Sequence, residues 1–181
     1  MVEYEKDYFC GKGYDNYGDY PAHSLRIEHI VNMLNPRSVL DCGCAYGFMV
    51  RRFLDRGIYA FGIDISKWAE KQAQKIIPHN FLRHDVREPL PFRDMEFDLL
   101  YCEGVLEHIE EQYIDAVMAE FGRVAVRRLF QIALAEHENV TKELGHATIK
   151  DHRWWFDKMP MRSFLAINAS TDTNYAWLYK G

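Results

Sequence analysis

One stretch, Val39-Leu40-Asp41-Cys42-Gly43-Cys44-Ala45-Tyr46-Gly47, constrains the fold of this chain more than any other. A short apolar run ends in an acid, and small residues then alternate through a turn. Residues 38–40 read as a buried strand, and the segment from Phe48 to Leu54 reads as a helix closed by Gly57. A strand, a tight loop of small residues and a helix N-terminus, in that order, make a nucleotide site. Gly43 and Gly47 reach backbone angles closed to other residues, and with Ala45 they leave room for a ligand against bare backbone.

A second acid arrives where that geometry needs it. Tyr59-Ala60-Phe61-Gly62-Ile63 is another strand-like run, and Asp64 ends it, placed to accept hydrogen bonds from both hydroxyls of a ribose. Nicotinamide and adenosyl cofactors share this arrangement, so the loop spacing has to separate them. A dinucleotide fingerprint is G-x-G-x-x-G with room for a pyrophosphate at the helix start; here the loop reads Asp41-x-Gly43-x-Ala45-x-Gly47. No diphosphate cradle is evident, and Asp41 adds negative charge beside one.

Strand and helix signals alternate along the chain, which predicts a parallel sheet covered on both faces. Ile27, Ile30, Val31 and Leu34 follow an i, i+3, i+4, i+7 stripe, marking a helix introduced by Pro21 and ended near Asn35-Pro36. Ser66 is placed to cap a helix running through Ile76, which Pro78 stops. A third strand is expected over about residues 80–84, a fourth over 97–101 and a fifth over 129–134. Ile114, Val117, Phe121 and Val124 mark the helix between the last two. Residues 136–158 are polar with embedded aromatics, with a short helix around Trp154 to Lys158. Residues 163–168 and 175–179 suit two final strands joined by a turn-like 169–174.

With 181 residues, 48% of them hydrophobic, the chain has the content of one domain over residues 1–181 with a sizeable core. Its net charge of -5 and lack of a Lys/Arg cluster argue against a nucleic-acid groove. Arg51-Arg52 and Arg127-Arg128 read as solvated helix faces. No stretch looks like a signal peptide or a membrane span, so a soluble, cytoplasmic protein is expected. Cys10, Cys42, Cys44 and Cys102 lack metal-ligand grouping and read as reduced, small apolar fillers near strand ends; the histidines are scattered, which leaves a metal site open but without support, and none is assigned. The segment of residues 1–20 interleaves Tyr4, Tyr8, Phe9, Tyr14, Tyr17 and Tyr20 with Gly11, Gly13 and Gly18. It reads equally as a lid over a site or as an arm packed on the sheet edge.

Four motifs in order resemble the class I S-adenosylmethionine-dependent methyltransferases. They are the loop from Asp41 to Gly47, the acid Asp64, the acid of His84-Asp85-Val86, and Asp98-Leu99-Leu100-Tyr101-Cys102-Glu103-Gly104-Val105-Leu106-Glu107-His108-Ile109. The Leu106-Glu107-His108 ending is similar to that of members acting mainly on small molecules. The likeness covers roughly residues 38–109 and departs at Ala45, where the family most often has glycine. It implies a Rossmann-like α/β fold, with a seven-stranded, mostly parallel sheet whose last strand is antiparallel. It also implies S-adenosylmethionine as cofactor and in-line methyl transfer to an oxygen or nitrogen of a small-molecule acceptor. Asp41, Gly43, Ala45 and Gly47 would then surround the methionine part, Asp64 with Ile65 after it the ribose, and Asp85 with Val86 the adenine. Cys102, Glu103 and Gly104 would line the methyl-transfer centre.

Neutral imidazole is the side chain best suited to accept a proton near neutral pH. That makes His108 the expected proton acceptor, with His146 and His152 as rivals; each reads equally as a structural or solvated histidine. An inactive relative serving as a binding or partner subunit is the alternative outside enzymes. A nicotinamide-dependent oxidoreductase is the enzyme alternative, and the loop spacing disfavours it.

Overall fold

The computed structural model describes residues 4–12, 14–135, 145–158 and 175–180. Strands β1 (Ser38–Cys42), β2 (Tyr59–Asp64), β3 (Phe81–Arg83), β4 (Phe97–Glu103), β5 (Ala125–Ala133) and β6 (Tyr175–Lys180) form one sheet in the order β3-β2-β1-β4-β5-β6. The first five are parallel, and β6 runs antiparallel to β5. Helices α1 (Pro21–Leu34), α2 (Phe48–Leu54), α3 (Lys67–Ile76), α4 (Glu111–Val124) and α5 (His152–Lys158), with short helical turns at Tyr8–Lys12 and Leu106–His108, complete the described elements.

Side chains alternate across a strand, so a sheet buried on both faces needs apolar residues at consecutive positions. Val39, Leu99, Tyr101 and Leu129 face one layer with Ile27 and Ile30 of α1 and Val50 and Phe53 of α2. Leu40, Leu100, Cys102 and Phe130 face the other, against Ile114, Val117 and Phe121 of α4 and Trp155 of α5. Gly62 lets α2 and its loop lie close on β2, because a Cβ there would sit 3.0 Å from Val50 Cγ2 and 2.5 Å from Cys44 Sγ.

Helix boundaries follow local chemistry. Pro21 opens α1 and Asn35 closes it in the left-handed region at φ 42°. Ser66 caps α3 by accepting from Ala69 N at 2.9 Å. Three expectations need correction. The fifth strand begins at Ala125 rather than Leu129, because the chain passes from α4 into β5 with no intervening turn residues. Arg127 and Arg128 therefore lie on a strand, not a helix face, and Arg127 Nη1 donates to the Leu34 carbonyl at 2.6 Å. Cys42, Cys44 and Cys102 are buried, whereas Cys10 is exposed and fills no core.

No described helix is long and apolar enough to cross a membrane. The expected strand at residues 163–168, the turn at 169–174 and residues 136–144 lie outside the described residues. The order of the sheet reverses between β1 and β4, and in open α/β sheets ligands bind at the carboxyl ends of strands beside such a reversal. Register brings Asp41 beside Tyr101 there, with Asp64 and Glu103 ending β2 and β4.

Candidate functional site

A cavity of about 810 Å³ opens over those strand ends, with Asp41, Gly43, Ala45, Asp64 and Glu103 among its lining residues. The loop after β1 is pinned to β2: the amides of Gly43 and Cys44 both donate to the Ile63 carbonyl, at 2.8 and 3.1 Å. Asp64 is held by Ala45 N on one carboxylate oxygen (2.9 Å) and Ser66 N on the other (2.8 Å). The carboxylate keeps lone-pair capacity for a ligand hydroxyl. Burial raises the Asp64 carboxyl to about 6, the backbone bonds opposing the shift.

Gly43 and Gly47 both take left-handed angles, φ 79° and 83°, and each has a further reason to lack a side chain. A Cβ at Gly43 would collide with the Val105 side chain, and one at Gly47 with the Ile77 side chain. Gly47 does not line the cavity; it fits α2 against the end of α3. Ala45 adopts φ 47° in the same loop, a conformation that costs an L-residue about 1–2 kcal/mol. Ala45→Gly is expected to stabilise the chain by about 0.5–1 kcal/mol once glycine's extra entropy is subtracted, as read from urea midpoints.

Beside the loop stands a second carboxylate, Asp41, 3% exposed. Its pKa lies well above the usual range, through burial first and then the charges of Glu103 and Asp64. Glu103 is bound by Arg26 of α1 at 2.6 Å and accepts a short hydrogen bond from the Tyr101 hydroxyl. Arg26 belongs to a second α1 stripe with Ala22, His29 and Met33, all at the cavity, spaced i, i+4, i+7, i+11. Its periodicity was available in the sequence, where only the buried stripe stood out.

At the opposite end, Ile65, His84, Asp85 and Val86 line the cavity. Asp85 is partly occupied: Arg87 donates to it from its backbone at 2.9 Å and from its guanidinium at 2.7 Å. Burial works upward on the Asp85 pKa, but the Arg87 bonds prevail and hold it below the usual value. Arg87 also reaches Glu110 at 3.2 Å, so Asp85 is tied to the entrance of α4.

The candidate histidines separate. His108 lines the cavity from the turn Leu106–His108 before α4, and its pKa falls to about 4, mainly through burial and then the neighbouring His146. The rings of His108 and His146 lie 4.8 Å apart, centre to centre. His152 is exposed, packs on Phe156 and does not reach the cavity. Cys102 is a correction too: strand alternation turns it into the core opposite Glu103, leaving Glu103 and Gly104 at the cavity.

The aromatic arm covers this space. Phe9 is 4% exposed and packs on Tyr46 at 5.1 Å, Tyr17 stands edge-on to Tyr46 at 4.9 Å, and Tyr4 meets His108 at 5.5 Å. Burial pushes the Tyr4 hydroxyl up to about 12, with Glu110 and Glu107 adding to it. Glu5 accepts from Lys67 N at the start of α3, at 3.1 Å, and Asp19 pairs with Arg52 at 2.7 Å. The arm is thus packed against the sheet's helices and also lines the cavity, which the sequence reading offered as separate possibilities.

Residues 39–127 match a family model described as a methyltransferase domain. Over those residues the chain is similar to a methyltransferase domain. A curated relative, the tRNA U34 carboxymethyltransferase of Nautilia profundicola, is 34% identical over 89 residues, 45% of this chain. The matched segment spans only 29% of that relative's length. Among solved structures, magnesium protoporphyrin IX methyltransferase from Synechocystis PCC 6803 with bound S-adenosylmethionine superposes with a TM-score of 0.64 at 18% identity, over 96% of this chain and 93% of that one. The PH0226 protein of Pyrococcus horikoshii gives 0.69 at 17% identity, over 89% and 91%.

S-adenosylmethionine is the cofactor of this class of methyltransferase domain, and its chemistry suits the residues present. The ligand carries a sulfonium, an ammonium and a ribose diol; Asp41, Asp64 and Glu103 offer carboxylates at one cavity. Among the described residues no side-chain hydrogen bond occupies Asp41, so this buried acid is open to a cation.

Proposed function

We propose that this domain transfers the methyl group of S-adenosylmethionine to an oxygen or nitrogen of a small-molecule acceptor. The observation that carries the reading is the set of acids at the ends of β1, β2 and β4 around one roofed cavity. Asp64 accepts from the ribose hydroxyls while its backbone bonds fix its direction. Asp41 faces the ammonium end, and Glu103, held by Arg26 and Tyr101, sits toward the transfer centre. Asp85 and Val86 border the adenine. When bound, the cofactor supplies a methyl group already activated by a sulfonium. The chain then has to position the acceptor in line, exclude water and accept a proton.

His108 is the residue placed to receive that proton, with His146 behind it. Its low pKa keeps the imidazole uncharged at neutral pH. A weak base suffices, because an attacking hydroxyl becomes strongly acidic as its bond to carbon forms. The arm acts as a lid over both ends of the cavity. Residues 163–168 would add the remaining strand of a seven-stranded sheet with an antiparallel member, and a cytoplasmic setting accords with the composition.

A small acceptor is favoured over a nucleic acid by the roofed cavity and the net charge of -5. The arginines at the cavity are already committed, Arg26 to Glu103 and Arg87 to Asp85. The tRNA-modifying relative motivates the competing reading. Calorimetry with S-adenosylhomocysteine and with NAD, followed by labelled methyl transfer into a metabolite extract and into tRNA, tests both. Binding of NAD alone would overturn the cofactor, label in tRNA alone would overturn the acceptor class, and binding without transfer would favour the inactive relative.

Asp64 also gives the binding a pH dependence. A carboxyl whose folded pKa is raised contributes stability that is complete below its unfolded value and lost as pH rises through about 6. The ionised form is the better hydrogen-bond acceptor, so affinity for S-adenosylhomocysteine should climb roughly tenfold between pH 5 and 7, read by calorimetry. Asp64→Asn should flatten that climb. The lid has its own check: protease should cut within residues 4–20 more slowly once S-adenosylhomocysteine is bound, and equal cleavage would mark a passive arm.

A further inference from the structure

Glu107, His108 and His146 are brought together by contacts that proton acceptance alone does not require. The Glu107 carbonyl accepts from the amides of Ala147 and Thr148, at 2.8 and 2.9 Å, and the Thr148 hydroxyl donates to the Ile109 carbonyl at 2.6 Å. These bonds fasten residues 146–148 to the turn before α4. The result is that one potential ligand atom from each of Glu107, His108 and His146 lies within 4.8 Å of the others. Glu107 is 1% exposed, and its Oε1 accepts from Ala133 N at 3.2 Å. His108 Nδ1 is buried without a hydrogen-bond partner, while the Gly145 backbone contacts the ring. An imidazole steadied by a backbone group, with a lone pair directed into a buried space, is how histidine presents itself to a metal.

The geometry points to a binding site for a divalent first-row transition-metal ion of the zinc type, held by Glu107, His108 and His146. Two imidazoles and one carboxylate are a suitable ligand set for such ions, and a site with three protein ligands keeps a position open. The site borders the cavity, which His108, Gly145 and Ala147 line, so that position would be reached from there. The inference rests on the proposed methyl transfer only for what the open position does. An acceptor hydroxyl bound there forms its oxygen–metal bond as its proton leaves to solvent water. The same oxygen then takes the methyl group as the carbon–sulfur bond breaks, and His108 serves as ligand instead of proton acceptor.

The test uses the full chain, carrying Cys10→Ser to remove the exposed thiol, stripped with a chelator and dialysed. Calorimetric titration with Zn²⁺ should show one ion per chain, and Co²⁺ should give the visible absorption of a low-coordinate site. His146→Gln, and Glu107→Gln, which keeps an acceptor for the Ala133 amide, should each weaken Zn²⁺ binding by roughly 10–100-fold or more. S-adenosylhomocysteine affinity on the same samples reports whether each variant is folded. Absence of a stoichiometric Zn²⁺ site, or unchanged affinity in a folded His146→Gln chain, overturns the ion. Methyl transfer by a chain that binds no Zn²⁺ would do so while leaving the proposed function intact; Zn²⁺ binding without S-adenosylhomocysteine binding would do the reverse.

Discussion

A His108→Ala chain is expected to bind S-adenosylhomocysteine normally and to transfer methyl groups about 10²–10⁴-fold more slowly, the usual cost of losing a positioned proton acceptor; a loss of similar direction follows if the ring instead holds an ion that acidifies the acceptor hydroxyl. Single-turnover transfer to a confirmed acceptor gives the rate, and calorimetry gives the affinity. With its pKa near 4, His108 is in its accepting form throughout the neutral range. The wild-type rate should therefore fall only as pH approaches 4, and the variant should lose that limb. A wild-type rate in the variant would remove His108 from the chemistry and leave alignment and desolvation as the sources of catalysis.

Trp155→Ala is expected to cost about 3–5 kcal/mol of stability, the range for truncating a large buried aromatic, as read from urea unfolding. The indole is 0% exposed on α5, packed with Phe130, Ile114 and Phe121. It anchors the segment that runs from Gly145 through α5, so the variant should also weaken the placement of His146. Trp155→Phe separates packing from polarity. The indole nitrogen is buried without a hydrogen-bond partner, so removing it while keeping a ring should cost much less than the alanine change. Equal losses would show that the ring's volume is not what matters.

The stretch from β1 through α2 was legible because several local signals coincide there: an apolar strand, a terminal acid and small turn residues. Asp64 and the Ser66 cap were legible for the same reason. Less visible was what each glycine avoids. Gly43 and Gly47 also make room for Val105 and Ile77, residues distant in sequence, so local reading reached only the ligand-side reason for their smallness. Cys102 was misplaced although strand alternation was available: if Glu103 faces the cavity, its neighbour cannot. The pairing of His108 with His146 had no local signal, since backbone bonds from Ala147 and Thr148 to Glu107 create it. Nor did the start of β5, because a helix that runs directly into a strand leaves no breaker residue to mark the change.

The two inward acids have a consequence for the lifetime of the protein in a cell. Asp41 and Asp64 are buried and their ionisation is disfavoured in the empty chain, so near neutral pH the ligand-free fold is weaker than the same fold with those charges answered. A cationic ligand relieves that strain and adds its own binding free energy to the folded state alone. Degradation of transiently opened chains follows the population of open forms. The abundance of this protein should therefore track the supply of S-adenosylmethionine, with starvation for methionine thinning the pool of the domain as well as slowing its turnover.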